Sequence, residues 1–367
     1  MRDTGSGIIY TSVEAVGLGM DVLQNESCPF CYVWGWIIRA VYACYFSVRC
    51  AQYWYFLGHG YSSATIAHEV FLDVIFLTAL AVNHLVNLRA ANIRRLAKTV
   101  GRHDGPVSYF TTVLNLMTFL TWGAAVFTTV FAHTTTVNTR RVDSVSPPLR
   151  EGLQISAIIL SHYTHGILVF GSIVFSIILY VYLEYALCIM LQHYRDGVRN
   201  ALTHNGRNSR IVHILLTDYY RLRNIVKDLE DSMRQPLRTL FVSGTLYVLD
   251  CVTLWTLSEG GVSVLLPSIV RAGTVVSLLF FTSDLGSRVI VSMKRIGNTV
   301  RTGGETEKET DREVLETCNS FCIEYFTDPV GVALGARWYL SRQLFTAWAA
   351  VTFLISAVAG IACHFAG

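Results

Sequence analysis

Ionisable side chains inside long apolar runs are the residues best placed to do chemistry in this chain. A charge in hydrocarbon is costly and persists where it is paired or used. Arg49 and Asp73 lie in successive apolar stretches, about 12 and 13 Å from the same end at 1.5 Å per residue. Asp250 and Arg271 repeat the pattern at about 10 and 13 Å. Matched depth on neighbouring helices makes Arg49–Asp73 and Asp250–Arg271 structural ion pairs, with the alternative that one member faces a wet cavity and meets a ligand. Other reactive types lack partners at working spacing. His68-Glu69 opens like a zinc-protease motif, but no second histidine follows at i+4. His162 and His165 share a helical face without an Asp, Glu or Cys at ligand spacing, and Cys28-Pro29-Phe30-Cys31 has no second pair. There is no glycine-rich phosphate loop and no Ser/His/Asp set. The sequence thus predicts no catalytic residue, no metal site and no cofactor, and the chain does not read as an enzyme.

The elements that hold these residues are membrane helices. Of 367 residues, 52% are hydrophobic and only 15% charged, against about 25% charged in soluble proteins. Mean hydropathy is +0.42. A net charge of +3, with no aromatic-basic patch, gives no reason to expect nucleic acid. The beginning of the chain has no basic-then-apolar signal peptide. Nine scattered cysteines do not form a disulfide framework.

Apolar runs of about 20 residues span a bilayer, and seven are expected: 30–57, 64–88, 107–131, from 153 helically to 194, 237–257, 262–285 and 344–365. Lys and Arg crowd the second, fourth and sixth connections (Arg89 to Arg102, Arg195 to Arg238, Arg288 to Arg312). The longest opposite connection carries only Arg140, Arg141 and Arg150. The positive-inside rule then puts the N-terminus in the cytoplasm and the C-terminus outside. That orientation is inverted relative to a G-protein-coupled receptor. The fold class is all-α, a polytopic seven-helix membrane protein.

Two connecting segments are amphipathic. Ile211, Leu215, Leu222, Ile225 and Leu229 recur at helical spacing, as do Val314, Leu315, Cys318, Phe321, Cys322 and Tyr325. With the long fourth helix they predict a cytoplasmic helical anchor where subunits meet. Thr302 to Asp311 reads as a flexible loop. The chain divides into an N-terminal segment (1–29) and helices one to six with a cytoplasmic helix (30–285, including 191–234). A cytoplasmic loop and anchor helix (286–337) and the last helix with a short tail (338–367) follow.

Two surfaces remain to be explained. In this orientation Trp122, Phe127, His162, Tyr163, His165, Tyr247 and Trp255 reach similar depths in the outer half of the bundle. That composition suits a small-molecule pocket and also plain aromatic packing. On the last helix Ala349, Thr352, Ser356, Ala359 and Cys363 step by three or four along one face. Such a stripe either admits another helix closely or lines an aqueous path.

Seven helices, the inverted orientation and helices before the last span resemble the insect gustatory and odorant receptor superfamily. Phe321-Cys322-Ile323-Glu324, Ala333-Leu334-Gly335, Trp338 and Leu340-Ser341-Arg342-Gln343-Leu344 are similar to the gustatory branch's approach to its last helix. Thr352-Phe353 followed by Leu354, Ile355, Ser356, Ala357 and Val358 resembles its Thr-Tyr and five hydrophobics. Phe353 replaces the Tyr, and Ala359-Gly360 replaces the branch's Gln-Phe. The resemblance implies a chemosensory, ligand-gated, non-selective cation channel in the plasma membrane, a homo- or hetero-tetramer surrounded by lipid. Thr352, Ser356, Ala359 and Cys363 would line its pore, with Phe353 and Val358 as gate. A tastant or other small chemical cue would bind in the outer half of helices two to six. The alternatives are a non-conducting seven-helix receptor and a membrane transporter.

Overall fold

The computed structural model describes residues 7–16, 29–59, 63–101, 109–140, 163–204, 209–257, 262–306, 316, 319–322, 331–332, 334 and 338–366. These residues are all-α. In chain order the helices are α1 (Gly7–Ala15), α2 (Pro29–His59), α3 (Ser63–Leu88), α4 (Ala90–Gly101) and α5 (Tyr109–Arg140). A π-helical turn (Thr164–Val169) then runs into α6 (Phe170–His204), followed by α7 (Ser209–Leu257), α8 (Val262–Thr306) and α9 (Arg342–Ala366).

Among the described residues six stretches are long and apolar enough to cross a membrane: Val70–Leu88, Thr112–Phe131, Thr164–Asn200, Thr217–Thr256, Leu265–Thr302 and Arg342–Ile361. The expected first span, 30–57, coincides with the 31-residue α2. Much of α2's side-chain detail lies outside what the structure describes.

α6 is the axis of the fold. Residues 169–184 are buried almost without interruption, so Phe170, Phe175, Tyr180 and the aliphatics between them pack on every side. A helix that is apolar all round belongs in the centre of a bundle. α1, α3, α4, α5, α7 and α8 all pack on it. α8 is the most extensive neighbour, and Cys188 Sγ reaches the Leu285 carbonyl at 3.9 Å.

Three elements differ from the sequence expectation. The segment expected as a separate cytoplasmic helix joins the fifth span in one 49-residue helix that passes through Pro236. At 1.5 Å per residue α7 is about 70 Å long, more than twice the hydrocarbon core. Pro236 removes one i→i−4 hydrogen bond, but Met233, Leu237 and Leu240 are wholly buried around it and packing keeps the helix continuous. Likewise α8 runs to Thr306, so Thr302–Thr306 is helical where a loop was expected; residues 307–311 lie outside the described set. The basic connection after α3 contains α4, which buries Ile93 and Leu96 and ties Arg95 to Asp228 of α7 at 2.7 Å.

The basic ends of α6, α7 and α8 thus continue beyond the apolar spans as a packed bundle. Leu222, Val226, Leu229 and Met233 of α7 and Val289, Met293, Ile296 and Val300 of α8 are buried at three- and four-residue steps. The Phe321 ring meets Tyr219 edge-on at 4.6 Å.

α9 starts from a clamp at the junction between this bundle and the spans. Leu334 N–H donates to Trp338 O and Leu340 N–H to Val332 O. Gly286 is needed there, because a Cβ would sit 2.7 Å from the Leu340 carbonyl. Ser341 caps α9, accepting from Leu344 N–H at 3.2 Å. Asp284 accepts from Arg288 Nε at 3.0 Å and from Arg342 Nε, while Ser287 Oγ accepts from Arg342 N–H at 2.8 Å. Arg238 Nε also donates to the Leu334 carbonyl.

Candidate functional site

A buried polar nest lies where α5, the π-helical turn, α7 and α8 meet. In α5 the inward residues are threonines: Thr118, Thr121, Thr128 and Thr129 are at most 4% exposed, whereas Phe119 is 72% exposed. Hydroxyls of Thr118, Thr121 and Thr129 donate to carbonyls four residues back, at 2.7–2.8 Å, which lets polar residues sit inside a helix bundle. The α7 and α8 contributions are two facing pairs, Tyr247 with Asp250 and Ser268 with Arg271. Each pair is spaced i, i+3 and therefore shares a face. Ser268 Oγ donates to Asp250 Oδ2 at 3.2 Å, and Arg271 Nε to Thr128 Oγ1 at 3.4 Å. The π-helical turn closes the nest at Gly166, beside Thr129 and the Arg271 guanidinium. Here Phe170 N–H reaches the His165 carbonyl five residues back, an irregularity frequent at functional sites. Phe170 also meets Tyr247 edge-on at 6.1 Å.

A second polar contact lies between α2 and α3. Arg49 Nε donates to Asp73 Oδ1 at 2.7 Å, with Arg49 almost wholly enclosed. Tyr42 and Tyr45 pack on Phe76 beside it, at 5.6 and 4.7 Å.

The expected aromatic pocket is divided. His165 and Tyr247 are buried, His165 next to Gly166 in the turn and Tyr247 in the nest. Trp122 turns instead to α1, donating from Nε1 to Ser12 Oγ at 2.9 Å and packing on Phe175 at 4.9 Å. Phe127, Tyr163 and Trp255 are 46%, 42% and 73% exposed and do not join the nest. His162 lies outside the described residues. The physical reason is the solvent: with lipid outside, Phe127 and Trp255 face out at little cost, while the α5 threonines satisfy their hydroxyls on their own helix and face in. Thr128, Thr129, Ser268 and Gly166 escaped the sequence reading, although the α5 threonines carried a legible signal in their three- and four-residue spacing.

On α9 the hydroxyl stripe faces α7 of the same chain. Thr352 Oγ1 and Thr245 Oγ1 lie 3.2 Å apart, Trp348 Nε1 donates to Thr245 Oγ1 at 3.0 Å, and Ser356 is buried. Trp348 covers Gly244. Ala359 is half-buried, and the Cys363 side chain lies outside the described residues. The open face carries Phe353, Leu354, Val358 and Ile361, each 59–76% exposed. Within one protomer Thr352 and Ser356 are therefore helix-packing residues, and Phe353 and Val358 stand on the free side. Cys44, Cys50, Cys188 and Cys251 are free thiols. No cluster of metal-ligating side chains occurs among the described residues.

Comparison with solved structures places this architecture. It superimposes on the insect olfactory receptor OR5 from Machilis hrabei in complex with eugenol over 96% of both chains, with a TM-score of 0.69 at 11% identity. The chain has the insect olfactory receptor fold. A second structure of the same receptor aligns over 95% of this chain and 96% of that one, with a TM-score of 0.61 at 11% identity. No family profile matches, and no curated protein is similar in sequence. The neighbours are receptors rather than enzymes.

Proposed function

We propose that this protein is a chemosensory receptor subunit of the insect gustatory and odorant receptor superfamily, acting in the plasma membrane as a ligand-gated cation channel. The observation that carries the reading is the likeness of fold over essentially the whole chain, together with the motif resemblance through Thr352-Phe353. In this reading the basic bundle is the cytoplasmic anchor of a tetramer, following the positive-inside rule. The nest between α5, α7 and α8 is the ligand site. Four copies of α9 surround a central path. The open side of α9 lines it, with Val358 and Phe353 closing it by dewetting, and Thr352 and Ser356 hold each helix to its own α7. Ligand binding favours the dilated state in proportion to its preference for that state. The clamp at Asp284 and Arg342 joins α8 of the ligand site directly to the base of α9.

Thiol accessibility tests the assignment of faces. In a background lacking Cys44, Cys50 and Cys363, a charged methanethiosulfonate should block current through Val358→Cys and leave Ser356→Cys unaffected. Modification of Ser356→Cys alone would return the pore to the hydroxyl stripe. The non-conducting receptor stands as a second reading because Ala359-Gly360 occupies the place of the branch's Gln-Phe.

A further inference from the structure

A surplus of positive charge stands where α8 and α9 meet the end of the apolar spans. Arg288 lies about 35 Å along α8 from Leu265 at 1.5 Å per residue, just beyond a hydrocarbon core of about 30 Å. Arg342 opens α9, and no further Asp, Glu, Lys or Arg occurs before that helix ends at Ala366. The clamp joins the two at one carboxylate, since Asp284 accepts from Nε of both Arg288 and Arg342. Two guanidiniums against one carboxylate leave one positive charge uncompensated. Both arginine side chains are 64% exposed, whereas that of Asp284 is 11% exposed. A guanidinium has five N–H donors, and each of these gives one to Asp284. Neither side chain makes another hydrogen bond among the described residues, so the Nη donors of both remain unused.

The surface on the membrane side of these arginines is aromatic. Phe281 precedes Arg288 by two helical turns and shares its face, and Phe345 follows Arg342 at i+3. Phe280 and Phe281 are each 42% exposed, and Phe280 meets Phe345 edge-on at 5.3 Å across the seam between α8 and α9. Along this seam exposed rings give way within two turns to exposed guanidiniums. That order matches a phospholipid, with acyl chains against the rings and phosphate against the arginines.

Charge then selects the headgroup. The guanidinium fork pairs with phosphate oxygens through parallel N–H bonds. A phosphatidylcholine headgroup brings its own ammonium and leaves the surplus charge uncompensated, whereas a headgroup of net negative charge cancels it. We propose that Arg288 and Arg342 hold the phosphate of an anionic phospholipid, with Asp284 fixing the two guanidiniums and Phe280 and Phe281 against its acyl chains. In the positive-inside orientation this lipid belongs to the cytoplasmic leaflet, where anionic lipids give the surface its negative potential. A phosphate held by both arginines ties α8 to the base of α9, so occupancy reinforces the clamp. The inference rests on the chain spanning a membrane and not on its conducting ions.

The test melts the full chain in nanodiscs of phosphatidylcholine alone and of phosphatidylcholine with rising fractions of phosphatidic acid. Phosphatidic acid should raise the wild-type Tm to a plateau, because a ligand that binds the folded state stabilises it by mass action. Arg288→Gln leaves Arg342 on Asp284 and should need about fivefold more phosphatidic acid for the same rise, equivalent to about 1 kcal/mol for one arginine at an anionic surface. Arg288→Gln combined with Arg342→Gln should abolish the rise. Each variant is compared with its own Tm in phosphatidylcholine, so a weakened clamp cannot imitate lost binding. Lys294→Gln combined with Arg295→Gln removes the same charge from exposed positions further along α8 and should keep the wild-type response. A flat wild-type response would overturn the proposal, as would a full rise in the double arginine variant. An equal loss in the Lys294 and Arg295 variant would refute a site in favour of diffuse charge. Inorganic phosphate that matches phosphatidic acid in phosphatidylcholine discs would refute the lipid in favour of a soluble anion.

Discussion

Replacing Arg49 by Met removes one side of the α2–α3 contact and leaves Asp73 facing an apolar neighbour. The size of the effect separates two views of polar groups in membranes. Interhelical hydrogen bonds between neutral groups average about 0.6 kcal/mol in double-mutant cycles. Removing one member of a buried ion pair costs about 3–5 kcal/mol. The Arg49 side chain is 5% exposed and the Asp73 side chain 22%, so part of the stranded charge is relieved by surroundings. We therefore expect Arg49→Met to lose roughly 2–3 kcal/mol, about 30- to 150-fold in the folded-to-unfolded ratio. Asp73→Leu should cost a similar amount, and the double variant should recover to within about 1 kcal/mol of wild type, because apolar replacements of both partners are nearly neutral. Reversible unfolding in mixed SDS micelles, followed by tryptophan fluorescence, yields the full cycle. Two small and additive effects would mean that the 2.7 Å contact contributes no more than a neutral hydrogen bond.

Two further perturbations test the packing. Glu184 is wholly buried, and neither carboxyl oxygen has a hydrogen-bond partner among the described residues. Glu184→Leu should therefore raise stability by about 1–3 kcal/mol in the same assay, and a loss instead would mean that water or an ion satisfies the carboxyl. At Gly244 a Cβ would meet Leu279 Cδ1 at 2.8 Å and Trp348 Cζ2 at 3.1 Å, so Gly244→Val should cost about 1–3 kcal/mol by overpacking and shift Trp348 emission. Wild-type stability and emission would argue against α9 docking on α7.

Helix existence and type were legible because each apolar run is long enough to span and is set off by turns or basic connections. Where helices end was not. The positions that join the amphipathic segment to the fifth span include Pro236, which reads as a boundary, and only burial of Met233, Leu237 and Leu240 keeps the helix whole. α4 was hidden by its arginines, although Ile93 and Leu96 mark its buried face. In the candidate site, titratable residues were easier to read than aromatics. Arg49, Asp73, Asp250 and Arg271 are conspicuous because charge is rare in such runs, whereas Phe127 and Trp255 are equally comfortable in lipid or core. The α9 stripe was ambiguous for a related reason: small hydroxyl residues suit both a wet path and a close helix, and only the position of Thr245 distinguishes them.

Current through the purified protein, reconstituted without partners into a planar bilayer, tests the central claim most directly. A panel of sugars, bitter compounds, volatiles and amino acids should include a member that evokes cation current, and Val358→Cys channels should lose that current on charged thiol modification. A folded tetramer that binds a panel member yet passes no ions would contradict the channel account and establish a non-conducting receptor.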